Sequence, residues 1–224
     1  MRGIGSRVPP YTGARPVVAL GDSNTAQSYL SATPADRWAA MVGARNWGRD
    51  GAVTADYLGT GPHVASAAVS QWRIDHPATV IACFGLNEST PAELEASTRV
   101  LHRWVRGVGA RLILLTNVAV DFAGGKYSWD RNPAIEAMAD VYRDLALELD
   151  GVTLADAFAA FELEIAGGTW DHRIRANQTT FDASLDASQP EPWASDGSPA
   201  SWWTDIHLNA AGSTVVADVL TPLL

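Results

Sequence analysis

A chain of 224 residues with 47% hydrophobic and 18% charged residues has the make-up of a globular protein long enough to bury one sizeable core. Its net charge of −9 disfavours nucleic acid and anionic membrane surfaces as partners. No apolar run approaches the roughly 18 residues of a membrane span, and the single cysteine, Cys83, rules out an intrachain disulfide.

Residues 1–14 read as an N-terminal extension without the apolar core of a signal peptide. On that basis the chain is expected to be cytoplasmic, part of a larger assembly, or processed from a longer precursor. From Arg15 onwards strands and helices alternate, the pattern of a parallel sheet wrapped by helices. Arg15 to Leu20 is the first predicted strand. A helix around Ala35 to Met41 precedes a short strand near Arg45 to Trp47. Pro62 to Ile74 reads as a helix and Thr79 to Phe84 as a strand holding Cys83 as an inert core residue. Thr90 caps the next helix, with Pro91 at its first position and Glu93 as its capping-box partner. Leu94, Val100, Leu101, Trp104 and Val105 are expected on its buried face. Leu112 to Leu115 is apolar throughout, as a strand covered on both sides should be. Asn132-Pro133 opens a helix with Ile135, Met138, Tyr142, Leu145 and Leu149 at spacings of three and four. Val152 to Ala155 is the predicted last strand and Ala210 to Leu220 the closing helix. The expectation is a three-layer α/β/α domain over 15–224, a doubly wound, flavodoxin-like sheet of about five parallel strands.

The segment Gly167 to Trp203 interrupts this order. It is polar, carries Pro190, Pro192 and Pro199, and holds Trp170, Trp193, Trp202 and Trp203. Structureless insertions beyond about 15 residues are uncommon in compact domains and are often functional. Trp202, Trp203 and the earlier Trp47 are candidate substrate-binding residues, as a stacking platform for sugar rings or the wall of an acyl cleft. The alternative is a tryptophan-anchored loop that covers the sheet. Trp38, Trp72 and Trp104 read as helix-face core residues.

Chemistry concentrates where strands end. Val17 to Leu20 runs into Gly21-Asp22-Ser23-Asn24, which puts a serine hydroxyl on rigid backbone at the carboxyl edge of a parallel sheet. Asn46-Trp47-Gly48-Arg49-Asp50-Gly51 follows the second strand and Phe84-Gly85-Leu86-Asn87-Glu88 the third; Asp205-Ile206-His207-Leu208-Asn209 precedes the last helix. Singly, each has an ordinary reading: Gly51 a turn glycine, Asn87 a cap, His207 a residue before a helix capped by Asn209. In this order, and at these edges, Ser, Gly, Asn and His resemble the four blocks of the GDSL-like, or SGNH, hydrolases, and the resemblance runs from Pro16 to about Val219.

The resemblance implies a cofactor-free serine esterase without a metal. Ser23 would be the nucleophile and His207 its base; the backbone N–H groups of Ser23 and Gly51 and the Asn87 amide would form the oxyanion hole. Gly51 would let its N–H approach the substrate closely. Two positions depart from the family pattern. Glu88 stands where an aspartate usually follows the asparagine, a supportive acid. The acid usually found three before the histidine is Thr204 here, and Asp205 lies two before it. Residues two apart in an extended segment share a side, about 6.5–7 Å apart, so Asp205 could orient His207; the alternative is a dyad oriented by a backbone carbonyl, such as that of Thr204. His63, His76, His102 and His172 lack such a setting. The expected substrate is a short-chain or O-acetyl ester, small or polysaccharide-borne. The alternatives are an acyltransferase on the same frame and a non-catalytic carbohydrate-binding module of a larger surface or viral tail assembly. An α/β-hydrolase fits less well, because no Gly-x-Ser-x-Gly is present.

Overall fold

Apolar runs short enough for strands and flanked by turn residues form the middle layer of the molecule. The computed structural model describes residues 15–30, 33–61, 76–119, 132–167 and 207–224. Five strands, β1 (Val17–Gly21), β2 (Arg45–Asn46), β3 (Thr79–Cys83), β4 (Arg111–Leu115) and β5 (Val152–Ala155), form one sheet in the order β2-β1-β3-β4-β5. Every pairing is parallel, with Val17 opposite Thr79 and Gly21 opposite Cys83 in the central pair. The chain goes outward from β1 to β2 and returns to place β3 on the other side of β1. That reversal opens a crevice at the carboxyl ends of β1 and β3, the usual binding position in such sheets.

Alternation along the strands divides the core in two. Ala19, Ile81, Cys83, Ile113 and Leu115 face one side and pack with Trp38, Phe158, Phe161, Val216 and Leu220. These come from α2 (Trp38–Met41), α6 (Ala157–Ala166) and α7 (Ala210–Leu220). Val18, Leu20, Val80, Ala82, Leu112 and Leu114 face the other, against Leu94, Leu101, Val105, Tyr142 and Leu145 of α4 (Pro91–Gly107) and α5 (Asn132–Glu148). Period two in the strands thus produces an α/β/α sandwich. The remaining short helices, α1 (Ser23–Ala26) and α3 (Thr54–Tyr57), lie in the loops after β1 and β2.

The predicted elements within the described residues recur with small shifts. The first strand runs two residues later at its start and one later at its end, and the strands at Arg45 and Thr79 each stop one residue sooner than expected. Thr90 caps α4 by accepting from Glu93 N at 3.2 Å, but the Glu93 carboxylate accepts from Ser89 N, one residue before the cap, at 3.1 Å. Trp104 is a correction: it is 39% exposed. The buried stripe is Leu94, Thr98, Leu101 and Val105; at 100° per residue Trp104 falls roughly 90° from its centre, on the flank. Val100 is likewise only partly buried. The helix α6 was not anticipated; Asp156 caps it by accepting from Ala159 N at 3.1 Å. The predicted helix from Pro62, Trp72, residues 1–14 and all but the first residue of the 167–203 insertion lie outside the described residues.

Candidate active site

Gly21 ends β1 where no side chain fits. A Cβ there would overlap Thr25 Oγ1 and the Cys83 carbonyl, so glycine allows α1 to fold back against β1 and β3. Asp22 follows, fully buried, and caps α1 by accepting from Asn24 N at 2.9 Å. Ser23 opens the helix, and its Oγ lies 2.9 Å from His207 Nε2. These two residues are 184 positions apart in sequence.

Buried hydrogen bonds hold the two segments together. Asn24, next to the serine, accepts through Oδ1 from the N–H of Leu208, next to the histidine, at 3.3 Å. Gln27 Nε2 donates to Ser213 Oγ on α7 at 2.7 Å, while Gln27 Oε1 accepts from Trp38 N at 2.9 Å. The Trp38 indole donates to the Asn24 carbonyl at 2.8 Å. Asn209 caps α7 by accepting from Gly212 N at 2.9 Å, which sets where the segment after His207 turns into helix.

The loop after β2 wraps the same corner. Asn46 Nδ2 donates to the Thr25 carbonyl at 2.6 Å, and a Cβ on Gly48 would overlap the backbone of Thr25 and Ala26. Arg49 N donates to the Gly21 carbonyl at 3.0 Å, and the Tyr57 hydroxyl, whose single hydrogen is shared with the Trp47 carbonyl, lies 2.9 Å from it. Gly51 has φ +72°, and nothing lies within 4 Å of a Cβ added there. Within the folded chain its need for glycine therefore comes from the left-handed backbone rather than from crowding by neighbouring residues. Trp47 is half-buried against the core face that includes Val18 and Leu20, and its carbonyl accepts from the Tyr57 hydroxyl at 2.6 Å.

Asn87 stands in the loop beyond β3, and its Nδ2 donates to the Ala52 carbonyl at 3.1 Å. That bond fixes which end of the amide carries the N–H groups and leaves one of its two hydrogens for another acceptor. Glu88 accepts from Thr54 N and Thr54 Oγ1, each at 2.9 Å, and from Gly85 N at 2.8 Å. A cavity of about 420 Å³ adjoins these residues, lined among others by Val53, Thr60, Asn87, Glu88 and Ser97.

Burial dominates the electrostatics beneath the serine. It pushes the Asp22 carboxyl up to about 7, reinforced by the Glu88 charge and opposed by the bonds from Asn24 and Asn117 and by His207. Asn117 Nδ2 reaches the second Asp22 oxygen at 3.4 Å. Burial likewise raises the Cys83 thiol well above its ordinary value, which keeps it a thiol. Among the described residues, no group of three or more His, Cys, Asp or Glu is arranged to hold a metal ion, and no helix is long and apolar enough to cross a membrane.

Asp205, Trp202 and Trp203 lie outside the described residues. Sequence reasoning missed Asn24, Gln27 and Ser213 as the stitching between the serine and histidine segments, and Asp22 as a buried acid. The Gly-Asp-Ser-Asn run displayed two of these, but the partners that give them meaning are set by packing.

The comparisons with known proteins bear on this geometry. The model of the GDSL-like lipase/acylhydrolase family matches residues 19–215. No curated protein matches the chain by sequence. Among solved structures, a protein of Slackia heliotrinireducens assigned to the SGNH hydrolases is similar at 20% identity and TM-score 0.61, with 94% of this chain and 98% of the other covered. The acetylxylan esterase Axe2 of Geobacillus stearothermophilus follows at 16% identity and TM-score 0.51, covering 92% of each chain. The C-terminal catalytic domain of the Streptococcus pneumoniae peptidoglycan O-acetyltransferase OatA stands at 18% and 0.51, covering 93% of this chain and 92% of that one. At such identities the likeness speaks for the fold, a five-stranded parallel sheet shared with SGNH hydrolases. The match over residues 19–215 takes in all four sequence blocks whole, and on it the chain belongs to the GDSL-like lipase/acylhydrolase family.

Proposed function

We propose that the protein is a serine esterase acting on short acyl esters, with O-acetyl groups on carbohydrate as the favoured class. The observation that carries this reading is the 2.9 Å contact between Ser23 Oγ and His207 Nε2 at the mouth of the β1–β3 crevice. In the reaction, Ser23 Oγ attacks the ester carbonyl carbon while its proton passes to His207 Nε2. The carbonyl oxygen becomes an oxyanion that accepts from Ser23 N, Gly51 N and the second Asn87 amide hydrogen. The C–O bond to the alcohol then breaks, and His207 returns the proton to the departing oxygen. Water, deprotonated by the same imidazole, cleaves the acyl-enzyme and restores Ser23. Asp205 is assigned the task of orienting His207.

The cavity beside Asn87 carries threonine, serine and carboxylate side chains that can meet the hydroxyl groups of a polar substrate, alongside the apolar Val53, Ala55 and Ala96. The likeness in fold to an acetylxylan esterase and to a peptidoglycan O-acetyltransferase domain agrees with an O-acetyl ester. The test pairs a fluorophosphonate probe with p-nitrophenyl esters of rising chain length and an acetylated xylan. Wild type should be labelled at Ser23, prefer acetyl over octanoyl esters and release acetate from the polymer. Ser23→Ala should lose labelling and at least ~1,000-fold in turnover. An unlabelled, inactive wild type would overturn the reading.

A further inference from the structure

Two of the three oxyanion donors assigned above, Gly51 and Asn87, sit on loops from opposite sides of β1. Gly51 follows β2 at one flank of the sheet; Asn87 follows β3 on the other. No strand pairing joins β2 to β3, so the relative position of the two loops depends on contacts across the crevice. Glu88 supplies two of them, both from Thr54, while a third bond from Gly85 N anchors its carboxylate within its own loop. Its Oε1 accepts from both the backbone N–H and the hydroxyl of Thr54, and its Oε2 accepts from Gly85 N. Thr54 is three residues beyond Gly51 and fully buried; Gly85 is two residues before Asn87. Asn87 adds a parallel tie through Ala52, the residue next to Gly51.

From this we infer that Glu88 is a positioning residue, a carboxylate clamp that sets the spacing between the Gly51 and Asn87 donors. The inference rests on the esterase reading. Three donors converge on two oxygens, a demand that a carboxylate meets and an amide does not. Glutamine would keep one oxygen as acceptor and turn its NH2 towards a backbone N–H, a donor facing a donor. The clamp need not touch substrate to matter. An oxyanion donor is worth about 100- to 1,000-fold when removed, and displacement of a reacting geometry by about 1 Å costs on the order of 100-fold. Releasing the clamp should therefore cost about 10- to 100-fold in kcat, because both donors persist but their spacing relaxes.

The experiment measures kcat and KM on p-nitrophenyl acetate for wild type, Glu88→Gln, Thr54→Val and the double variant, together with inhibition by a small alkyl boronic acid, which forms a tetrahedral adduct on the serine. Glu88→Gln should lower kcat about 10- to 100-fold with KM within about twofold, and weaken the boronate by a similar factor. Thr54→Val removes one donor of the clamp and should cost about three- to tenfold in kcat. The double variant should be no worse than Glu88→Gln, since both changes break one tie. If kcat of Glu88→Gln stays within threefold of wild type, or if KM absorbs the loss while the boronate binds as before, the clamp is refuted. Should Glu88→Gln fail to fold, Thr54→Val decides: a lowered kcat at constant KM supports the clamp, and an unchanged kcat overturns it. Fluorophosphonate labelling of wild type separates the two failures. With Ser23 labelled and esters hydrolysed, an indifferent Glu88→Gln defeats the clamp alone; an unlabelled, inactive wild type defeats the esterase reading and the clamp with it.

Discussion

Replacing Asp22 by asparagine should make the protein more stable at neutral pH. Asp22 is fully buried directly before the serine, and burial lifts its carboxyl from an ordinary 3.8 to about 7. Between those two values the unfolded chain has released this proton while the folded protein still holds it. Raising the pH across that window therefore favours unfolding. The rise spans roughly three pH units at about 1.4 kcal/mol each, so the buried charge costs the fold about 4 kcal/mol above pH 7 and nothing below pH 3.8. Asparagine keeps the shape, the helix cap and the bond from Asn24 N. A flip of the Asn117 amide would satisfy the new NH2, now that no carboxylate accepts there. Urea unfolding of wild type and Asp22→Asn from pH 3 to pH 8 should give curves that meet near pH 3.5, separate steadily to pH 7 and then run parallel. Asp156 titrates low, because burial, which raises it, is outweighed by the bonds from Arg143, Ala159 N and Thr116 and the Arg143 charge acting together, but it does so in both proteins and cancels in the difference. A difference that is independent of pH, or a variant less stable than wild type at pH 8, would refute the argument.

Asn87→Ala should lower kcat by roughly 100-fold or more with little change in KM, because its amide acts mainly on the developing oxyanion; a raised KM with unchanged kcat would make it a ground-state binding residue. Asp205→Asn should cost up to about 10,000-fold if its carboxylate orients His207, and a loss below tenfold in a folded variant would indicate orientation by a backbone carbonyl. Gly21→Ala should destabilise the fold by about 1–3 kcal/mol in urea unfolding, since the added methyl overlaps Thr25 and the Cys83 carbonyl; a variant of wild-type stability would show that α1 moves aside freely.

How much of this was legible beforehand depended on whether local pattern or packing carried the information. β3 and β4 are buried almost throughout, and their uninterrupted apolar runs announced both strand and coverage. Thr90-Pro91 and Asn132-Pro133 marked helix starts through local chemistry alone. The helix α6 escaped notice because Asp156 caps it one residue after β5 ends, leaving no loop to punctuate the change, although Phe158, Phe161 and Ile165 are spaced for it. Trp104 departs from the expected buried face because its angle around the helix, not its apolar character, sets its exposure. At the site, Ser23, Asn87 and His207 stood out because turns and strand ends isolate them. The bonds from Gln27 to Ser213 and from Asn24 to Leu208 join residues more than 180 positions apart, and no local pattern encodes such a pairing.

The 184-residue gap between Ser23 and His207 also ties chemistry to the order of folding. Gly21, Asp22, the Gly51 loop and the Asn87 loop all belong to the first 90 residues, whereas the base is delivered by the segment leading into α7. That helix packs on α2 and α6, and α6 follows the last strand. A chain with β1 and β3 paired but α7 undocked would hold its serine without a base. Recovered activity after dilution from denaturant is then a clock for the final docking event and should lag behind the signals of sheet formation, since contacts this distant in sequence close last.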